Sequence, residues 1–127
     1  MEGSEQRSSG LYGKCPVQAD LCLPQGQTWD TIFKWESGGS AVDLTGYAAR
    51  MMLRTTAEAA SPTVSLSTVA GTMTVNDSGE IQLAYPAISS SAITAATYLY
   101  DLELENPAGN VRRLVEGRAV VSREITR

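Results

Sequence analysis

Histidine is missing from this chain altogether. That removes the side chain best suited to moving protons near neutral pH and the commonest metal ligand, so Ser/His/Asp triads and His-based metal centres are excluded. Cysteine is scarce too: Cys15 and Cys22 are the whole supply, with six residues between them. The spacing is too long for a redox or zinc-knuckle pair, and a four-thiolate site would need ligands from a second chain. Reduced thiols, a disulfide closing a short loop, and a metal or cluster shared between subunits are three open readings of the pair. One Phe and two Trp leave the core to Leu, Val, Ile, Met, Ala and Tyr, a supply that suits a thin two-layer fold.

Long apolar runs are also lacking. No stretch approaches the roughly 20 residues of a membrane span, and Met1 to Gly10 has no apolar run of the kind a secretory signal needs. The expectation is a protein made in the cytoplasm of its producer. Positive charge is in deficit, with 10 basic residues against 14 acidic ones and a net charge of −4. Arg112, Arg113, Arg118, Arg123 and Arg127 gather near the end, but Glu116 and Glu124 interleave with them, which describes a solvated strand face and not a phosphate-binding stripe. Neither nucleic acid nor a membrane is expected as a partner.

What the chain does carry is period-two alternation. Tyr98, Tyr100, Leu102 and Leu104 share one face of a strand while Leu99, Asp101, Glu103 and Glu105 share the other, and Asn106-Pro107-Ala108-Gly109-Asn110 then supplies a turn. Trp29, Thr31, Phe33 and Trp35 likewise share a face, read here as core, with a partner-facing patch as the other reading. Ala49, Met51 and Leu53 are predicted to point inward, and Arg50, Met52 and Arg54 outward. Further strands are read at Val17–Leu23, Thr63–Ser67, Thr72–Val75, Glu80–Tyr85, Asn110–Val115 and Arg118–Ile125. Thr55–Pro62 reads as a loop with at most a short helix, and Ser89–Ala95 as a helical crossover between sheets. About eight or nine strands at roughly ten-residue spacing predict an all-β, antiparallel β-sandwich over residues 17–127.

Residues 1–16 read as an extended N-terminal arm, polar and Gly/Ser-rich, which either stays flexible or orders on a neighbouring subunit with Leu11 and Tyr12 as anchors. No constellation for chemistry stands out. Asp101, Glu103 and Glu105 form a row of carboxylates that a calcium ion or a glycosidase could use, yet the ordinary reading is a surface ladder paired with arginines of the 112–118 segment. Asn76-Asp77-Ser78-Gly79-Glu80 lacks the other acids and the helices of an EF-hand and reads as a turn. The serines have no base. No enzyme, cofactor or metal is expected.

The order Gly26-Gln27-Thr28-Trp29, Asp43-Leu44-Thr45-Gly46-Tyr47 with Arg50 and Arg54, Gly79-Glu80-Ile81-Gln82-Leu83, Tyr98-Leu99-Tyr100-Asp101-Leu102, Gly109 to Gly117 and Ile125-Thr126-Arg127 resembles small tailed-bacteriophage virion structural proteins. Among these it is similar to the Ig-like N-terminal domains of siphophage upper baseplate proteins, over Gln25 to Arg127. The resemblance implies an Ig-like sandwich acting in the virion as a tail or baseplate adaptor, in symmetric copies, joining other phage structural proteins as wedge, collar or fiber attachment. The longer members' receptor-binding extension has no counterpart before Arg127, which moves the expectation from host recognition to attachment. A capsid cement protein decorating the head is the nearest alternative. A carbohydrate-binding sandwich using Trp35 and the loops Glu36–Ser40 and Asn106–Asn110 is a further one. Leu11, Tyr12, Cys15, Cys22 and Trp35 are the candidate partner-binding residues.

Overall fold

A computed structural model describes residues 15–126, so Leu11, Tyr12 and the rest of the expected arm before Cys15 lie outside the described residues. In chain order the elements are β1 (Val17–Gln18), β2 (Leu21–Cys22), β3 (Ile32–Lys34), β4 (Glu36–Ser37), β5 (Ser40–Ala41), β6 (Ala48–Arg54) and β7 (Val64–Ser67). There follow β8 (Met73–Val75), β9 (Glu80–Leu83), α1 (Ala87–Ser90), β10 (Ala96–Glu105) and β11 (Val111–Val121). The chain is all-β. One sheet has six strands in the order β1-β11-β10-β6-β7, with β2 also on β11, and a second has the order β3-β9-β8. Strands β4 and β5 form a separate hairpin closed by Gly38 and Gly39, both at positive φ.

Alternation dictates which face each strand buries. Tyr98, Tyr100, Leu102 and Leu104 of β10, Ala49, Met51 and Leu53 of β6, and Val64 and Leu66 of β7 all point inward. They join Phe33, Met73, Ile81 and Leu83 of the smaller sheet in one continuous hydrophobic core, so the two sheets are layers over a shared interior. Trp29 and Trp35 belong to that core, as their shared face predicts. Although the regular part of β3 is short, pairing runs further. Trp29 and Tyr85 exchange backbone hydrogen bonds, Leu83 donates to Thr31, and Trp35 donates to Gly79. The strand read at Thr28–Trp35 is therefore paired along most of its length.

Two differences from the sequence reading have physical causes. First, no turn interrupts the last strand: β11 is continuous from Val111 to Val121, where Glu116-Gly117 suggests a break. Gly117 serves instead as a point of close approach, because a Cβ there would run into the carbonyl of Ala19. A bulge between Leu102 and Glu103 in the register also inserts Leu114, so Leu114 and Val115 are buried in succession. Second, Val17–Leu23 is two short pieces, parallel to β11 and separated by Ala19-Asp20. The Tyr100 hydroxyl, directly opposite Gly117 in register, donates to the Ala19 carbonyl at 2.6 Å and fixes that kink.

One end of the molecule is closed by a polar clasp. Ser90 is fully buried; its Oγ donates to the Gln27 carbonyl at 2.7 Å and accepts from the Gly26 N–H at 3.1 Å. Gln25 donates from its amide to Ile93 and accepts the N–H of Glu124. These bonds tie the β2–β3 corner and the α1 crossover to each other and to the end of β11. Nearby, the Tyr98 hydroxyl donates to the Thr94 carbonyl at 2.6 Å, anchoring the start of β10.

The rims of the large sheet differ. On one side β1 and β2 are short, preceded by Pro16 and split at Asp20, all features that discourage pairing with another strand. On the other side β7 pairs only with β6 within its sheet, and the run Thr63–Val69 contains neither charge nor proline. Ser67 turns its N–H and C=O away from β6 to Thr72, so alternation turns those of Ser65 outward as well.

Candidate interaction surface

The outward face of the large sheet holds the charges that the alternating pattern sends there. Arg50 Nε donates to Glu103 Oε1 at 2.9 Å, and Arg50 Nη1 to Glu105 at 3.3 Å. Arg113 contacts Asp101 at 3.3 Å and Glu116 at 3.2 Å, while the Gln18 amide donates to Glu116 at 2.6 Å. The carboxylate row is thus a surface ladder, as expected. Only part of its pairing comes from the 112–118 segment, however, since Arg50 supplies the rest from β6. The register of β6 against β10 sets Arg50 opposite Glu103, a juxtaposition that sequence spacing does not reveal. Partial burial, then the neighbouring Glu103, push the Asp101 carboxyl above its usual range, and Arg113 works against that rise. The Glu103 hydrogen bond raises the Arg50 guanidinium further still.

Between the 55–62 loop and the Ala19-Asp20 kink this face sinks into an open trough of about 700 Å³. Its floor is formed by β11, β10 and β6. Across it the register sets Arg118, Leu99 and Arg54 side by side on three adjacent strands. Leu99 is 40% exposed there. Arg54 is held by its Nη1 donating to the Ala59 carbonyl at 2.7 Å, which also ties the loop to the sheet. The Arg118 guanidinium has no acidic group within ion-pair distance among the described residues; only its backbone N–H is engaged, by Asp20.

The residues singled out from sequence separate in space. Cys15 and Cys22 are both free and exposed, Cys22 lying beside Val120 on the β2 rim. Trp35 is only 7% exposed, with the Arg112 guanidinium 5.1 Å over its ring and Tyr47 against its edge, so it offers no open ring face. Trp35 Nε1 and Arg112 Nη2 are both buried donors without a hydrogen-bond partner. Leu11 and Tyr12 fall outside the described residues. The polar groups of the turns are used locally: Asn76 Oδ1 accepts the N–H groups of Ser78 and Glu80, and Asn106 Oδ1 those of Ala108 and Asn110. Asp43 does the same for Thr45, whose hydroxyl and N–H lower its carboxyl below the usual range.

Among the described residues no group of three or more Cys, Asp or Glu side chains is placed to hold a metal ion. No helix among them is long and apolar enough to cross a membrane. No protein-family model matches the chain, and no curated protein matches its sequence.

Proposed function

We propose that this chain is a non-enzymatic structural protein of a bacteriophage virion, an adaptor at the tail or baseplate that joins other subunits in several symmetric copies. In this reading the sandwich is Ig-like. Strands β11, β10, β6 and β7 on one sheet and β3, β9 and β8 on the other follow an immunoglobulin-type order, with β1 and β2 lying parallel to the last strand. Tyr98 supports it too: a tyrosine early in the penultimate strand that donates to backbone four residues upstream makes the corner such domains share. The virion assignment draws its support from the order of residue clusters between Gly26 and Arg127.

The observation that carries the adaptor role is the β7 rim of the large sheet, which pairs within that sheet only with β6 and is occupied on its outer side by Thr72 at Ser67, leaving the Ser65 stretch open. A rim of that kind accepts an extended segment from a neighbouring polypeptide through main-chain hydrogen bonds. The experiment compares tryptic cleavage after Arg7 and Lys14 in the isolated protein and in phage particles, with gold-labelled antibody locating the protein. Protection in particles together with label at the tail supports the adaptor. Label over the head would transfer the role to capsid cement. Equal cleavage in both states, or no protein in the particle, would overturn the virion reading.

A further inference from the structure

We infer that the trough on the large sheet docks an acidic polypeptide segment of a partner, one that presents two carboxylates on either side of an apolar side chain. Three observations carry this. The floor sets Arg118, Leu99 and Arg54 in one row, each on its own strand, so the outer two backbones lie about 10 Å apart at ordinary strand spacing. The other two arginines of the floor are already engaged, Arg113 by Asp101 and Glu116 and Arg50 by Glu103. What is left is the unmatched Arg118 guanidinium, the spare donors of Arg54, and the exposed Leu99 between them. Asp20 beside Arg118 is turned to that residue's backbone N–H.

The chemistry of that residue set is specific. Guanidinium groups take carboxylates through paired N–H donors, and arginines at a docking site steer and orient a partner more than they add raw affinity. An extended segment shows every second side chain on one face, about 7 Å apart, so an acid–x–apolar–x–acid pattern spans the row within reach of two long arginine side chains. Ala57 of the 55–62 loop lines the trough on one side, and Gln18 and Asp20 line it on the other. The inference deepens the adaptor reading by naming the chemistry of one neighbour. It rests on that reading for the claim that the occupant is a polypeptide.

The test titrates the 15N-labelled protein with the peptide acetyl-Glu-Thr-Leu-Thr-Glu-amide and with a control carrying Lys in place of both Glu residues. Expected are progressive shifts of the Arg54, Leu99 and Arg118 amides at millimolar acidic peptide, falling several-fold as salt rises and the screening length contracts. The Lys peptide should leave them in place, and Arg118→Glu should weaken binding at least ~10-fold. The Arg118 side chain makes no hydrogen bond or ion pair among the described residues, so its variant should unfold at the wild-type midpoint; Arg118→Ala replaces it should the midpoint fall. No shifts, shifts elsewhere, equal response to both peptides, or undiminished binding by the variant would overturn the inference. Those outcomes leave the protease and labelling results untouched, so the two readings fail separately.

Discussion

At the scale of single residues, backbone approach and buried polar bonding decide what this fold tolerates. Gly117 is the clearest instance, since any side chain there meets the Ala19 carbonyl. Gly117→Ala should destabilise by about 1–3 kcal/mol, the range for forcing atoms into filled space, read as a lowered urea midpoint. Ser90→Ala removes a buried hydroxyl that serves the Gly26 N–H and the Gln27 carbonyl together, and should also lower stability by about 1–3 kcal/mol. Asp101 gives a pH dependence whose sign is fixed. Its carboxyl sits above the ordinary 3.8 in the folded protein, so the folded state holds its proton more tightly than the unfolded chain does. The contribution is present below the ordinary value and is lost as pH rises through the raised one. Asp101→Asn should therefore gain on wild type in urea midpoint as pH goes from 3 to 7. A constant difference across that range would contradict the assignment.

At the scale of elements, legibility in the sequence followed alternation. β6, β7, β9 and β10 could be read because each sends one face to the core and one to solvent, as Arg50, Met52 and Arg54 against Ala49, Met51 and Leu53 illustrate. Where alternation breaks, the reading failed. The bulge at Leu114 puts two buried residues in succession, and Gly117 mimics a turn while standing in for a missing side chain beside Ala19. The docking row was invisible for another reason. Arg54, Leu99 and Arg118 are far apart in sequence and meet only through strand register. Arg112 was assigned to a solvated face, yet its position opposite Leu104 carries it inward over Trp35. Central strand β10 should be the least forgiving element. Leu102→Ala is expected to cost about 2–5 kcal/mol, measured by chemical unfolding.

At the scale of the whole molecule, two layers share one interior and neither thiol takes part in it. Cys15 and Cys22 are exposed and free, so the native protein should react with two equivalents of a thiol reagent, and replacing both with Ser should leave the unfolding midpoint in place. Blocked thiols in the folded state would contradict this. The β7 rim has a different bearing on the molecule's behaviour. Natural sheets guard an open border with lysine, proline or irregularity; Thr63–Val69 has no lysine or proline, Thr72 covers only the Ser67 end of the rim, and Val69 in the turn that follows is 92% exposed. Stored alone at high concentration, copies should creep into ribbon-like clumps that bind thioflavin. A single gatekeeper, Ser65→Lys, should keep the solution clear.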